Sequence, residues 1–428
     1  MMTTKPKQRV TKSVVTCDLE GRIETFNKGA VEIFGYTPDE VINKKRVSLF
    51  SPGLIVLGHV NNWLNTAVAE GEYKGETVFV RKDGTRFPAR VRITPTYRNG
   101  EHIGYCGVTE PLPDADPASV MPKISLWTRA FAGLVVLRAP FLSATIIPIV
   151  IAAAWVASRL DGAAFNWLGF ALALMGGVAL QVAANTFNDY YDWKSGTDPE
   201  NNNYFLPYTG GSRSLELRLI TERGLFRIAI IASLVAVGIG ALLLAWRGWP
   251  VVAFGIIGLL SAYFYTAPPL RLVARRGLGE LLVGLNFGPL MVAGTAFVLT
   301  GELTALDFVV GLPIGLLTAA ILWINEFPDM QSDIATGKVH LVATLGKQNA
   351  RYGYVALAGL SYALVIYGVI AGWLTAGGLL ALATLPLAAY ATLVLLRHYE
   401  DRSLIRANLA TIVLHSTFGI MLALGLLL

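Results

Sequence analysis

The strongest constraint on the fold is a series of long apolar stretches that fills the chain after residue 125. They lie at roughly 130–157, 165–192, 222–246, 250–267, 278–300, 305–327, 352–371, 375–397 and 404–428. A helix needs about 20 apolar residues to cross a bilayer, and backbone polar groups in lipid must be satisfied internally. The sequence therefore predicts a mainly α protein whose larger part is a bundle of nine transmembrane helices.

The composition supports a membrane protein, with 54% hydrophobic and 15% charged residues. A net charge of +6 does not require nucleic acid as a partner, because basic membrane proteins carry their Lys and Arg in cytoplasmic loops. Cys17 and Cys106 form no CxxC pair, so the cysteines indicate neither a disulfide framework nor a zinc site. No secretory signal is evident at the N-terminus, which predicts a first domain in the cytoplasm.

Residues 1–110 have a different pattern, that of a small soluble α+β domain with an antiparallel sheet. A hairpin is predicted over residues 14–27, and three further strands are separated by Asp83-Gly84 and Asn99-Gly100. The segment resembles a PAS domain in its motifs Gly21-Arg22-Ile23, Phe26-Asn27, residues 33–41 and residues 81–85. The resemblance implies a sensor-like domain with an unidentified small ligand. Residues 111–124 are rich in Pro and Asp and are predicted to be a linker, which leaves 125–428 as the membrane domain.

Loop charges predict the orientation of the bundle. The loops predicted to lie outside offer only Arg159 and Arg247. The alternate loops carry Lys194, Arg213, Arg218, Arg223, Arg227, Arg271, Arg275, Arg276, Lys338, Lys347, Arg351, Arg397, Arg402 and Arg406. Positive charge is concentrated on the cytoplasmic side of membrane proteins. We therefore expect an integral protein of a bacterial-type inner or plasma membrane, with the N-terminus and the polar motifs in the cytoplasm.

Two polar motifs stand at the predicted cytoplasmic ends of spans two and six. Asn185, Asn188, Asp189 and Asp192 recur at i, i+3, i+4 and i+7, and Asn325, Asp329 and Asp333 are also one turn apart. Carboxylates are costly at a membrane boundary unless a cation compensates them. Hard oxygen ligands that bridge a metal to substrate phosphates are typical of Mg²⁺ sites. The alternative is that these residues cap helices or form ion pairs on a solvated face.

The membrane part resembles the UbiA-type aromatic prenyltransferases, most closely the 1,4-dihydroxy-2-naphthoate polyprenyltransferase branch. The matching motifs are residues 188–192 with 196–198, 265–271, 277–280, 287–290, 294–295 and 325–338. The resemblance implies that Mg²⁺ is held by Asp189, Asp192, Asp198, Asp329 and Asp333, of which all but Asp198 are predicted to be catalytic. The residues implied in substrate binding are Asn185, Asn188, Arg213, Tyr265, Arg271, Asn325 and Lys338.

The predicted function is Mg²⁺-dependent transfer of a polyprenyl group from its diphosphate to an aromatic acceptor. The resemblance favours 1,4-dihydroxy-2-naphthoate, in menaquinone biosynthesis, with regulation by the PAS domain. One alternative is a prenyltransferase for 4-hydroxybenzoate or a similar ring. Another is a PAS-gated transporter or receptor whose acidic clusters form an ion path, although transport sites usually lie near the bilayer midplane.

Overall fold

The computed structural model describes residues 11–160, 162–201, 203–204 and 209–428. Residues 1–10 of the predicted first domain therefore lie outside the described residues. The chain divides into two compact units. The first runs to Leu134 and also includes Ser214–Thr221, and the second comprises Val135–Arg213 with Glu222–Leu428. The first unit thus contains a short segment that lies far along the chain, between the second and third membrane helices.

The first unit is built on a five-stranded antiparallel sheet, as the sequence predicted. Its strands are β1 (Ser13–Asp18), β2 (Ile23–Phe26), β3 (Tyr73–Val80), β4 (Arg86–Arg98) and β5 (Glu101–Pro111), in the order β2-β1-β5-β4-β3. The predicted turn at Asn99-Gly100 joins β4 to β5 with positive φ at both residues, as a two-residue hairpin turn requires.

One face of this sheet is covered by helices, which gives the first unit its own core. The helices are Lys28–Phe34, Pro38–Val41 and Asn61–Glu70. Phe34 is buried and stacks on Phe50 with ring centroids 4.2 Å apart, and Trp63 stacks on Tyr73 at 5.5 Å. Aromatic pairs of this kind add to the free energy gained from burial alone.

The second unit is helical and contains a helix for each predicted span. These are α1 (Ala139–Ala157), α2 (Trp167–Lys194), α3 (Glu222–Arg247), α4 (Pro250–Phe264), α5 (Leu278–Thr300), α6 (Ala305–Ala335), α7 (Lys347–Ile370), α8 (Ala376–His398) and α9 (Arg402–Leu426). Eight of them are long and apolar enough to span a membrane among the described residues, and α4 is shorter. The predicted fold class is therefore confirmed, with one helix below full spanning length.

Close packing of α5 against α6 fixes two walls of the bundle. A Cβ atom added to Gly288 would lie 2.5 Å from the Cα of Gly315, and one added to Gly311 would lie 2.6 Å from the carbonyl carbon of Gly288. Such distances leave no room for a side chain, so the two backbones touch. Small residues at helix interfaces in membranes allow this approach and the dispersion contacts that come with it.

The N-terminal end of α6 is anchored by hydrogen bonds. Thr304 and Asp307 form a capping box, which satisfies backbone donors that a helix start leaves free. The indole Nε1 of Trp155 on α1 donates to Oδ1 of Asp307 at 2.8 Å. With this end fixed, the 31-residue helix carries Asp329 and Asp333 in its last two turns.

Candidate active site

A cavity of about 240 Å³ lies within the second unit and is bounded by both acidic motifs. Part of its wall is apolar and includes Leu180, Leu282 and Phe287. The predicted site residues that line it are Asn185, Asn188, Asp192, Asp198, Tyr265, Asn325, Asp329, Asp333 and Lys338. The cavity therefore combines a charged wall with an apolar one, as a ligand with a charged head and a hydrocarbon tail would require.

Lys338 connects the two acidic helices. Its Nζ lies 3.2 Å from Oδ2 of Asp192 and 3.7 Å from Oδ1 of Asp333. Burial by itself lowers the pKa of Lys338, but Asp192 and Asp333 outweigh that effect and raise the pKa well above its usual range. The ammonium group is therefore positively charged at physiological pH, between carboxylates of α2 and α6.

Asp189 faces Arg138, a residue that the sequence analysis did not select. Nη1 of Arg138 lies 3.4 Å from Oδ1 of Asp189 and donates to Oδ1 of Asn188 at 2.8 Å. Asp189 also accepts from the backbone amide of Ser212 at 3.3 Å. A signal was present in the sequence, because Arg138 falls inside a predicted span, where an arginine is costly unless it has a function or a partner.

Asp329 is held by the loop that follows α2. Its Oδ1 accepts from Nδ2 of Asn201 at 2.7 Å, and its Oδ2 accepts from the backbone amide of Gly210 at 3.1 Å. The same loop therefore contacts both acidic motifs, since Ser212 donates to Asp189.

Gly211 makes this approach of the loop possible. Its φ is +73°, and an added Cβ atom would lie 2.9 Å from Oδ1 of Asp189 and 3.2 Å from Oδ2 of Asp198. A larger residue would carry a backbone strain and displace the carboxylates. Gly210-Gly211 is thus a feature of the candidate site that residue type alone did not reveal.

Asp198 and Arg213 contact each other within the loop that follows α2. Arg213 donates through Nη1 to the carbonyl oxygen of Asp198 and through Nη2 to that of Asn201, and its Nη1 lies 3.9 Å from Oδ1 of Asp198. Its guanidinium lies 3.8 Å from the ring centroid of Tyr204. Burial raises the pKa of Asp198 well above its usual range, against the lowering effect of Arg213. Arg213 therefore holds the backbone of this loop in place. It is not among the described residues that line the cavity.

Three further residues were predicted to bind substrate: Asn185, Asn325 and Arg271. Asn185 accepts from Gln181 at 2.9 Å and donates to the carbonyl of Leu137 at 3.1 Å. Asn325 accepts from Nδ2 of Asn408 at 2.8 Å. These hydrogen bonds fix the orientation of both amides. Arg271 precedes the turn Leu272–Ala274 and does not belong to the described cavity wall.

The donor set of the cavity fits a hard divalent cation. Asp192, Asp198, Asp329, Asp333 and Glu326 line the described wall, where the cationic side chains are Arg138 and Lys338. Carboxylates therefore outnumber cations, and oxygen ligands are those that Mg²⁺ prefers.

Comparison with protein families gives two matches along the chain. The UbiA prenyltransferase family model matches residues 145–416, and a PAS domain model matches residues 11–110. The first range contains every predicted site residue, and it covers more than half of the chain.

Individual relatives agree with these matches. The chain is 25% identical to 1,4-dihydroxy-2-naphthoate octaprenyltransferase of Bacillus subtilis, over 58% of this chain and 78% of that protein. It is 28% identical to 2-carboxy-1,4-naphthoquinone phytyltransferase of Synechocystis, over 74% of this chain and 98% of that protein.

A solved structure is also similar, that of a UbiA homologue from Archaeoglobus fulgidus bound to DMAPP and Mg²⁺. Its identity is 16%, it covers 68% of this chain and 98% of its own, and its TM-score is 0.49. The family match, together with the relatives, favours an enzyme over the transporter or receptor considered above. The chain belongs to the UbiA prenyltransferase family, and it is an integral membrane prenyltransferase with an N-terminal PAS domain.

Proposed function

We propose that this enzyme transfers a polyprenyl group from its diphosphate to 1,4-dihydroxy-2-naphthoate, with Mg²⁺, as a step of menaquinone biosynthesis. The observation that carries the proposal is the single cavity shared by Asp192 of α2, Asp329 and Asp333 of α6 and an apolar wall. A diphosphate needs cations and water, whereas its prenyl tail partitions into apolar surroundings. One cavity with both kinds of wall accommodates both ends of such a substrate.

The residues divide between two tasks in this proposal. Asp189, Asp192, Asp198, Asp329 and Asp333 would hold Mg²⁺, which neutralises the diphosphate as the allylic C–O bond breaks. The diphosphate leaves with the bonding electrons, and Lys338 and Arg138 are placed to stabilise that negative charge. Tyr265, which lines the cavity, would lie beside the electron-deficient allylic carbon until the acceptor ring forms the new bond to it. The ring would then lose a proton, or its carboxylate as carbon dioxide, to become aromatic again.

The identity of the aromatic acceptor is the most specific part of the proposal. Relatives in Bacillus subtilis and Mycobacterium tuberculosis are named 1,4-dihydroxy-2-naphthoate octaprenyltransferases, at 25% and 30% identity. These names support a naphthoate ring over 4-hydroxybenzoate. They do not determine the length of the prenyl chain.

We also propose that the PAS domain modulates the transferase. Support comes from Ser214–Thr221, which is part of the first unit and directly follows Arg213 in the chain. A Cβ atom on Gly53 would overlap the carbonyl oxygen of Leu217, so this segment packs tightly against the PAS fold. A change in the PAS domain that moves Leu217 would also displace the preceding loop. The backbone amides of this loop donate hydrogen bonds to Asp189 and Asp329.

We also propose the membrane orientation that the loop charges predict, in which the cavity opens to the cytoplasm.

The central test of the proposed function uses the full-length protein in lipid nanodiscs with a radiolabelled prenyl diphosphate. We expect transfer to 1,4-dihydroxy-2-naphthoate that requires Mg²⁺ and stops with EDTA. Faster transfer to 4-hydroxybenzoate would overturn the acceptor, and no transfer to any aromatic ring would overturn the function.

A further inference from the structure

A second group of metal-ligating side chains reaches the cavity wall through Glu326, and the proposed reaction gives it no role. It consists of Glu280 on α5, Glu326 on α6 and His340 in the connection that follows α6. One ligand atom from each lies within 4.8 Å of the others, and the residues are 5%, 4% and 0% exposed. Three chain segments thus place two carboxyl groups and an imidazole together in a buried position.

The polar atoms of this group are largely unsatisfied. Among the described residues, both carboxylate oxygens of Glu326, Oε2 of Glu280 and Nε2 of His340 have no hydrogen-bond partner, although His340 lies within ion-pair distance of Glu326. Oε1 of Glu280 is held by the backbone amide of Leu341 at 2.7 Å. A buried carboxylate is strongly unfavourable unless enough positive charge compensates it. The arrangement therefore calls for a cation.

His340 lies between two carboxyl groups. Its Nδ1 is 3.3 Å from Oε2 of Glu326, and its Nε2 is 3.4 Å from Oδ2 of Asp333. Nδ1 also accepts a hydrogen bond from the backbone amide of Ala343 at 3.1 Å, which a bound metal ion would replace. Since Glu280 is a third carboxyl group beside the ring, one imidazole faces more negative charge than it can balance.

We propose that Glu280, Glu326 and His340 bind a divalent transition-metal ion, for which Zn²⁺ is the best fit. Three protein ligands of mixed nitrogen and oxygen type with one open position form a common zinc site. Tetrahedral zinc with metal–ligand distances of about 2.0–2.2 Å places its ligand atoms about 3.4 Å apart, so ligand atoms that lie up to 4.8 Å apart would have to close in by up to about 1.4 Å. The Asp-rich cavity is different in kind, because it offers oxygen ligands that suit Mg²⁺.

The site would also position a residue of the transferase. Nε2 of His340 lies 3.4 Å from Oδ2 of Asp333. A metal-bound histidine commonly donates its other ring N–H to a carboxylate, which fixes both groups. The bound ion would thus join α5, α6 and the His340 connection, and it would hold Asp333 with one oxygen toward His340 and the other toward Lys338.

The test is metal content, measured without any prenyl substrate, so that it is independent of the proposed transfer. The full-length protein is purified, exposed to Zn²⁺, passed through gel filtration and analysed by mass spectrometry of elements. We expect about one zinc per chain, and at least a tenfold lower affinity in Glu280→Gln and His340→Gln. His59→Gln, which changes a histidine of the PAS domain, and Asp329→Asn, which changes the Asp-rich cavity, are the matched controls and should retain zinc.

A second measurement covers the case in which a variant fails to fold. X-ray absorption at the zinc edge of the wild-type protein should show one imidazole and oxygen ligands. Wild-type protein that holds no zinc after exposure would overturn the proposal and leave His340 as an imidazolium ion. Zinc that is retained in folded Glu280→Gln and His340→Gln, or lost in folded Asp329→Asn, would overturn the assignment of these ligands.

Discussion

The Nζ atom of Lys338 lies 3.2 Å from Oδ2 of Asp192, although the two residues are 146 positions apart in the chain. Lys338 follows the C-terminal end of α6 and Asp192 lies near that of α2, so their ion pair brings the two acidic motifs to one cavity. The pair also places a cation where the diphosphate would bind. In the proposed function, Lys338 would exchange its contact with Asp192 for one with the phosphate of the substrate.

Loss of a single acidic ligand should remove most of the activity. We expect Asp189→Ala, Asp192→Ala, Asp329→Ala and Asp333→Ala each to lower kcat by about 100-fold or more, because each removes a group that stabilises the departing diphosphate through Mg²⁺. Single-turnover transfer at saturating Mg²⁺ measures this. Glu302→Ala, at an exposed carboxylate after α5, is the control and should be fully active. Near wild-type turnover in two of the four variants would contradict a shared two-motif site.

Replacement of Lys338 should weaken substrate binding. We expect Lys338→Met to raise the KM for the prenyl diphosphate by about tenfold, since a buried charge-assisted contact contributes about 1.5–3 kcal/mol. Lys338→Arg should restore part of the loss because it keeps the charge. The KM for the aromatic acceptor should stay the same. An equal rise in both KM values would indicate a disturbed fold.

The orientation of the chain is open to direct labelling. Cysteine variants at Lys82, Lys194 and Lys347 should react with a membrane-impermeant reagent only from the cytoplasmic side. Variants at Arg247 and Leu428 should react from outside, because nine spans put the termini on opposite sides of the membrane. A C-terminal reporter that works only in the cytoplasm would show that one helix, α4 above all, does not cross.

A protein that begins near Val120 should keep Mg²⁺-dependent transfer. All proposed metal ligands and phosphate partners lie after that residue, and the second unit has its own core. We expect the KM values to change, because Ser214–Thr221 loses the fold against which it packs. Both forms are compared in the same lipid after membrane insertion is verified. A properly inserted but inactive truncation would refute the claim that the membrane part carries the chemistry.

Gly53→Ala should alter catalysis from within the PAS domain. The new methyl group overlaps the Leu217 carbonyl and displaces the segment that continues into the active-site loop. We expect the KM for the diphosphate to change by about fivefold or more, in line with usual coupling energies. Gly107→Ala is the matched control, because its methyl group would meet its nearest neighbour, the Val15 carbonyl oxygen, at 3.9 Å. Identical kinetics of the two variants would argue against coupling through this segment.

Much of the fold and part of the site could be predicted from local patterns. Span positions follow from apolar length, and the face shared by Asn185 and Asp192 follows from helical periodicity, both of which depend on neighbours in sequence. The contacts of Arg138 with Asp189 and of Gly210 with Asp329 depend on tertiary packing between distant segments. A hydrogen bond from a backbone amide does not depend on the side chain, so the residue types do not reveal it. The membership of Ser214–Thr221 in the PAS unit was missed for the same reason.

The short helix α4 has a consequence for the surrounding lipid. Its 15 residues span about 22 Å at 1.5 Å per residue, less than the roughly 30 Å of a typical hydrocarbon core. The bilayer must thin beside it, or polar groups must reach across the difference, at a cost of fractions of a kcal/mol per Å. Gly258, Ser261 and Ala262 of this helix also line the cavity. If α4 crosses the membrane, hydrophobic mismatch would act on a wall of the candidate active site, and we expect turnover to depend on the acyl-chain length of the lipid.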